Sequence, residues 1–175
     1  ENEMNRYRIS LVMAITALSV MLLGIAAVQA ADGSDTDKAD PATGLIGTQV
    51  SDFTLTDTEG NEHNLSAYLA EYDGVILEWF NPDCPFIKKH HQAHRTMDET
   101  FARHADQGVV WLAINTTNST SQEENKQWIE RYKLAYPILL DFDGDVGRRY
   151  DARRTPHMYV IDKEGILDLG AGTGF

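Results

Sequence analysis

The stretch VILEWFNPDCPFI, residues 75–87, joins a buried-strand pattern to a helical pattern and contains Cys84, the only cysteine of the chain. Its apolar run predicts a strand buried on both faces over residues 75–80. A helix is predicted from Pro85 to about His104, because proline suits the first helical position and apolar residues recur at helical spacing behind it. Cys84 then lies in a strand-to-helix turn, where free backbone N–H groups and the helix dipole stabilise a thiolate. A lone cysteine is often only a small core residue, but this polar, proline-flanked loop favours a reactive thiol.

Predicted strands and helices alternate on both sides of this stretch. A half-buried strand starts at Phe53, and a short helix follows from Ser66, a plausible N-cap. A later helix begins at Thr120 or Ser121, and Glu124, three residues after Ser121, would complete a capping box. The other predicted elements are a helix over residues 145–150 and strands over 109–114, 136–140, 158–162 and from 166. This order, closed by a hairpin, predicts an α/β fold with a mixed central sheet and helices on both of its faces.

The N-terminal region predicts export. Residues 1–30 have the form of a secretory signal peptide, with residues 1–3 ahead of the first methionine and a cleavage site after Ala30. An uncleaved membrane anchor is the alternative, because the apolar run is almost long enough to span a bilayer. Residues 31–43 are acidic and polar and predict a disordered linker, which leaves residues 44–175 as one domain. We therefore expect a periplasmic or secreted protein that meets a membrane only through an uncleaved signal segment.

The charge of the chain limits its partners. Its 175 residues carry a net charge of −12, from 15 Lys and Arg against 27 Asp and Glu. Nucleic acids and anionic membrane surfaces both bind Lys and Arg patches, so the composition argues against them as partners. A single cysteine also excludes an intrachain disulfide and leaves an exported chain with a free thiol.

Three segments carry a resemblance to a known family: Asp52–Leu55 with Asp57 and Gly60, Trp79–Pro85, and Arg154–Asp162. In this order and spacing the sequence resembles the thioredoxin-fold redoxins of the alkyl hydroperoxide reductase and thiol-specific antioxidant superfamily, in their exported form. The resemblance covers about residues 45–167. It implies a thioredoxin-like fold with an N-terminal β-hairpin extension. Redoxins of this type continue into a final helix, which we expect to be missing from this sequence.

The resemblance also implies roles for individual residues. Cys84 matches the attacking cysteine of the C-x-x-C motif, and Ile87 stands where the second cysteine would be. Thr155 and Pro156 match the cis-proline loop, which faces that cysteine and exposes backbone for pairing with a peptide or thiol substrate. An adduct on Cys84 would then need an external thiol or a thioredoxin-type reductant for its release. Disulfides and peroxides are both candidate substrates, but the peroxide-binding threonine of P-x-x-x-T-x-x-C is absent, so weak peroxide consumption is expected.

Three further motifs have simpler explanations. His90, His91 and His94 could share a helix face as metal ligands, although a solvated face is the simpler interpretation. Residues 141–145 (DFDGD) resemble the start of a calcium loop but lack its later glycine and glutamate, so a turn is predicted there. The glycine-rich residues 166–175 resemble the first motif of S-adenosylmethionine-dependent methyltransferases, without the following helix that meets the cofactor. We therefore predict no cofactor and no metal site.

Two functional hypotheses follow from these observations. In the first, the protein is an exported, thiol-dependent oxidoreductase or antioxidant redoxin, in which Cys84 attacks the substrate and Thr155 and Pro156 position it. In the second, it is a non-catalytic binding or metal-handling module with the same fold, in which Ile87 marks the loss of redox turnover. The reactivity of Cys84 distinguishes the two hypotheses.

Overall fold

The computed structural model of the chain describes residues 44–172, with side chains from residue 44 to residue 168. The strands are β1 Thr54–Asp57, β2 Glu62–Asn64, β3 Gly74–Trp79, β4 Val109–Asn115, β5 Ile138–Leu140, β6 His157–Asp162 and β7 Leu167–Gly172. The helices are α1 Leu65–Glu71, α2 Pro85–Lys88, α3 Thr96–His104, α4 Gln122–Tyr132 and α5 Asp145–Arg149, with a π-helical segment, Lys89–Ala93, between α2 and α3. The predicted signal peptide and linker lie outside the described residues. Within residues 44–172, no helix is both long enough and apolar enough to cross a membrane.

The strands form one mixed sheet in the order β2-β1-β5-β4-β3-β6-β7. Its centre is parallel, because β3 pairs with β4 and β4 with β5 in the same direction. Antiparallel strands flank this centre, since β6 pairs with β3 and β1 pairs with β5. The β1–β2 hairpin is the predicted N-terminal extension, and the mixed sheet is confirmed. Trp79 at the end of β3 is in register with Ile114 of β4 and His157 of β6, so these three strands meet at the sheet edge nearest Cys84.

Helices cover both faces of the sheet, as predicted. Successive residues of β3 and β4 point to opposite faces, which gives two separate cores. One core packs Leu77 and Leu112 against residues of α1 and α5. The other packs Trp111 and Ala113 against residues of α2, α3 and α4. The continuous apolar pattern of the two central strands thus reflects burial on both sides.

The prediction of one continuous helix from Pro85 to about His104 is wrong, because the helix is interrupted. The α-helical segment α2 passes directly into the π-helical segment. Arg95 then adopts a left-handed backbone with φ 49°, and α3 begins after it. A π-helical turn adds one residue per turn and shifts which side chains point inward. Here it accompanies the burial of His91, which is 3% exposed. Apolar spacing missed the break because Ile87 and Met97 are buried on either side of it.

Local signals at helix ends were predicted with mixed success. The capping box of α4 is confirmed, with Ser121 accepting from the Glu124 N–H and the Glu124 carboxylate accepting from the Ser121 N–H. Ser66 is not the N-cap of α1: Asn64 is, since its side-chain oxygen accepts from the Ala67 N–H at 2.8 Å. Asn64 is one of the preferred N-cap residues and ends β2 directly before the helix.

The fold shows what residues 141–145 and the glycine-rich segment from residue 166 form. The turn predicted at residues 141–145 is confirmed, because the buried Asp141 carboxylate accepts from the N–H groups of Val146 and Gly147 and so caps α5. The glycine-rich end of the chain forms β7 as far as Gly172, paired with β6 through the Gly165 turn. It is therefore the return strand of a hairpin and has no phosphate- or cofactor-binding loop geometry within the described residues.

Candidate active site

Cys84 lies at the carboxyl end of β3, in the turn that leads into α2. Its own N–H donates to Asn81 O at 3.0 Å, and the Asn81 side chain accepts from the Asp83 N–H at 2.8 Å. These two bonds close a tight loop before the helix. Pro85 is the first helical residue and has no N–H to satisfy, so Cys84 becomes the N-cap with an extended backbone. The sequence thus fixes the thiol at the helix start, half-buried against the core below it.

The structure brings Cys84 together with the predicted Thr155–Pro156 loop. The Cys84 thiol donates to Thr155 O across a distance of 3.0 Å, although the two residues are 71 positions apart in the sequence. The Thr155–Pro156 peptide bond is cis, as the resemblance implies, and Pro156 itself is buried. All three predicted site residues therefore form one cluster. Their catalytic roles stay predictions.

Buried aromatic and polar groups support this cluster from below. His157 follows Pro156 at the start of β6 and is fully buried, with Nδ1 2.9 Å from the hydroxyl of Tyr159. The Tyr159 hydroxyl donates to Tyr150 O, and its ring packs 4.7 Å from the ring of Trp79. The Trp79–Tyr159 ring contact thus adds to the strand pairing between β3 and β6 beneath the site.

The two residues after Pro85 differ sharply in exposure. Ile87, at the position of the second cysteine in the C-x-x-C pattern, is 0% exposed and packs in the core with Phe80 and Trp128. Phe86 is 36% exposed and is one of the few large apolar side chains at the surface of the described region. Cys84 therefore packs on a closed apolar core, and the 175-residue sequence contains no second cysteine.

A buried polar cluster behind the site was missed by the sequence analysis. Glu78 is 0% exposed, and its carboxylate binds His91 Nε2 at 2.8 Å and accepts from the Tyr136 hydroxyl at 2.8 Å. The other ring nitrogen of His91 lies 3.7 Å from Asp98. A glutamate inside the apolar run of β3 was the available signal, because a buried carboxylate needs a partner. Its partners could not be identified, since Tyr136 is 58 positions away.

The electrostatics of this cluster favour a charged imidazole. Burial alone would lower the pKa of His91, but the hydrogen bond to Glu78 and the negative charges of Glu78 and Asp98 outweigh it and raise the pKa above its usual value. Burial and the Glu78 charge together raise the pKa of the Tyr136 phenol, which keeps it a neutral donor. His91, which we had considered as a metal ligand or a solvated residue, is instead an internal ion-pair partner.

The other two histidines of that segment do not complete a metal site. Burial lowers the pKa of His90, with a further contribution from the positive charge of Lys89, and His94 is exposed. Among the described residues, no group of three or more His, Cys, Asp or Glu side chains is arranged to hold a metal ion. The site geometry therefore centres on the chemistry of one thiol.

This arrangement suits nucleophilic sulfur chemistry. The half-buried thiol faces a backbone carbonyl, and Phe86, two residues further on, exposes an apolar ring. A sulfur atom in this position can attack a disulfide whose chain lies along the Thr155–Pro156 loop. Ile87, at the position of the second cysteine in the C-x-x-C pattern, has no nucleophilic group that could attack a resulting mixed disulfide.

Comparison with known proteins agrees with this description. Residues 46–169 match the AhpC/TSA family. The thiol-disulfide oxidoreductase ResA of Geobacillus kaustophilus is 32% identical over 129 residues, which are 73% of this chain and 70% of that protein.

Solved structures show the same fold. The thioredoxin domain of a thiol-disulfide oxidoreductase from Bacteroides vulgatus superposes with a TM-score of 0.63 at 22% identity, covering 74% of this chain and 89% of that one. Peroxidoxin BcpB from Mycobacterium tuberculosis superposes with a TM-score of 0.61 at 23% identity, covering 75% of this chain and 87% of that one. The predicted thioredoxin-like fold is thereby confirmed, and the chain belongs to the AhpC/TSA family as a thioredoxin-like redoxin, with oxidoreductases among its relatives.

Proposed function

We propose that the protein is an exported thiol–disulfide oxidoreductase that works through one nucleophilic cysteine, Cys84. The observation that carries the proposal is the 3.0 Å contact between Cys84 Sγ and Thr155 O at the cis-proline loop. It places the thiol beside the backbone that would pair with a substrate chain. The names of the sequence relatives support thiol–disulfide exchange as the reaction. Export rests on residues 1–30 and on their resemblance to a signal peptide.

The proposed reaction has two exchange steps. In the first, Cys84 loses its proton to solvent and attacks one sulfur of a disulfide, R–S–S–R′. A Cys84–S–S–R bond forms, the substrate S–S bond breaks, and R′–S⁻ leaves. In the second, an external thiolate attacks the substrate sulfur of the mixed disulfide, which regenerates the Cys84 thiolate and yields a new disulfide. The net reaction is one exchange between a disulfide and a thiol, and the protein ends as it began.

Disulfides fit this site better than peroxides. Residues 81–83 (Asn-Pro-Asp) precede Cys84 and offer no hydroxyl group to bind a peroxide. The exposed Phe86 ring and the cis-proline loop instead suit an extended, partly apolar chain. We therefore assign a peptide or thiol disulfide as the substrate and an external thiol, or a thioredoxin-type protein, as the reductant.

The proposal is tested by turnover with a supplied monothiol. Wild-type protein and Cys84→Ser are compared in the reduction of a peptide disulfide, with glutathione as the external thiol. The wild-type rate should rise with the glutathione concentration, and Cys84→Ser should show only the uncatalysed rate, because its hydroxyl is a far weaker nucleophile. Equal rates for the two proteins under ample glutathione would exclude catalysis by Cys84 and favour a non-catalytic binding module.

A further inference from the structure

A polar cavity of about 370 Å³ opens at the same edge of the sheet as Cys84. We call it the arginine cavity and define it by Thr116, Gly147, Arg148, Asp151 and Arg153, which line it. The proposal below rests on the proposed function, because it concerns the substrate that Cys84 attacks.

The fold brings this cavity close to the thiol. Arg153 comes two residues before Thr155, whose carbonyl oxygen accepts from Cys84 Sγ at 3.0 Å. Two peptide units span at most about 7.6 Å between Cα atoms. Thr116 directly follows β4, and β4 is in register with the end of β3 that leads to Cys84. The reacting sulfur and the cavity therefore lie at the same edge of the sheet.

Helix α5 and the loop behind it turn two guanidinium groups toward this space. The Ala152 N–H donates to Gly147 O, and Asp151 has a left-handed backbone with φ 51°, so the chain folds back after α5. Arg148 before this return and Arg153 after it both line the arginine cavity. Gly147 lets α5 pack closely against Thr116, because a Cβ at position 147 would lie 2.8 Å from Thr116 Cγ2.

Both guanidinium groups have free donors. Arg153 donates only its Nε–H, to Asp151 at 2.6 Å. Arg148 donates through Nη1 to Asp143 O, and its Nη2 lies 3.8 Å from Asp145. A guanidinium has five N–H donors, so most of them have no acceptor among the described residues. Free guanidinium donors bind carboxylate and other planar anions well.

Basic residues are concentrated next to the arginine cavity. The chain has a net charge of −12, yet 4 of its 15 basic residues lie within residues 148–154, directly before the cis-proline loop. We propose that the arginine cavity holds an anionic group of the disulfide that Cys84 attacks. The substrate is then a disulfide with a carboxylate or other anionic group next to the reacting sulfur, which Arg148 and Arg153 position as specificity-determining residues.

The proposal is tested with methanethiosulfonate reagents that differ only in charge. Each reagent forms Cys84–S–S–R and releases methanesulfinate, so no other reductant or oxidant is needed. R is 2-sulfonatoethyl for the anionic reagent and 2-hydroxyethyl for the neutral one. Intact mass spectrometry measures the rate at which each reagent modifies Cys84. The quantity compared between variants is the rate with the anionic reagent divided by the rate with the neutral reagent. We expect Arg148→Gln with Arg153→Gln to lower this ratio about tenfold, because local charges focus an anion at the site.

The neutral reagent serves as an internal control for folding, since its rate should stay at the wild-type value. Arg148→Lys with Arg153→Lys keeps the charges and should keep most of the ratio. Arg103→Gln with Lys163→Gln is the matched control. It removes the same charge, but both residues lie toward the opposite sheet edge, since Lys163 follows β6 next to the start of β3.

The rate ratios show whether the arginine cavity binds an anionic group. A ratio lowered only by the Arg148/Arg153 pair supports the anion subsite. An unchanged ratio, or an equal fall in the Arg103/Lys163 pair, overturns it and leaves thiol–disulfide exchange standing. A Cys84 that does not react with the neutral reagent overturns the proposed function, and the subsite is overturned with it.

Discussion

Ile87 occupies the position from which a second thiol would release a mixed disulfide on Cys84. It is fully buried in the core beneath α2, three residues after the nucleophile, where a C-x-x-C protein has its second thiol. Residues three apart on a helix are neighbours, so a thiol at this position could reach Cys84. The present side chain offers only apolar packing. Under the proposed function, a mixed disulfide on Cys84 therefore stays in place until another molecule attacks it.

Ile87→Cys should restore internal release. We expect its mixed disulfide to decay without added thiol, leaving a protein two hydrogens lighter than the reduced form. The smaller side chain should also lower the free energy of unfolding by about 1–3 kcal/mol. Intact mass spectrometry after reaction with a small disulfide follows the decay.

Ile87→Ser is the control for Ile87→Cys, because it makes a similar cavity but adds no nucleophile. If the adduct persists as long in Ile87→Cys as in Ile87→Ser, position 87 cannot reach the adduct. The assignment of Ile87 as the missing resolving position would then be wrong.

At the scale of elements, the π-helical segment Lys89–Ala93 connects the site to the buried cluster of Glu78 and His91. His91 faces Glu78 of β3 and Asp98 of α3, and Asp98 in turn pairs with Arg95 at 3.3 Å. Burial lowers the pKa of His91, but its contacts with Glu78 and Asp98 outweigh burial and raise the pKa above its usual value. A charged His91 therefore joins the helix behind Cys84 to the sheet and to α3.

The stability of the fold should depend on pH through His91. Because its folded pKa is raised above the unfolded value of about 6.5, its contribution is complete below that value and is lost as pH rises through the folded pKa. His91→Gln should therefore lower the free energy of unfolding more at pH 6 than at pH 10. Urea unfolding of both proteins at the two pH values measures this difference.

His94→Gln is the control for His91→Gln, since His94 lies beside the same segment but is exposed. It should leave the unfolding free energy almost unchanged. A stability loss in His91→Gln that is the same at pH 6 and pH 10 would contradict an internal ion pair and indicate packing alone.

Elements with local signals were predictable, and those that depend on distant partners were not. The strand before Cys84 and the capping box at Ser121 follow from short sequence patterns, and both are present. The role of Glu78 depends on contacts with His91 and Tyr136, which are distant in the sequence. The break at Arg95 has no signal in the apolar spacing around it. Cys84 and Thr155 are 71 positions apart, so only the resemblance to a known family predicted that the cis-proline loop faces Cys84. Their hydrogen bond was not predicted.

At the scale of the whole molecule, the topology gathers the reactive parts at one edge of the sheet. The ends of β3 and β4 and the start of β6 meet there, in register at Trp79, Ile114 and His157. Cys84, the cis-proline loop and the arginine cavity all lie at this edge. A parallel centre with antiparallel flanks thus places a thiol, the backbone of the cis-proline loop and two guanidinium groups at one edge of the sheet.

The most direct test of the central claim is the stoichiometry and lifetime of the adduct on the whole chain. Reduced wild-type protein is mixed with a small disulfide, the excess is removed, and the intact mass is followed with and without glutathione. We predict one adduct per chain that persists without thiol and disappears when glutathione is added, and no adduct on Cys84→Ser. A wild-type chain that forms no adduct, or one that loses it equally fast without glutathione, would contradict single-cysteine exchange with external release.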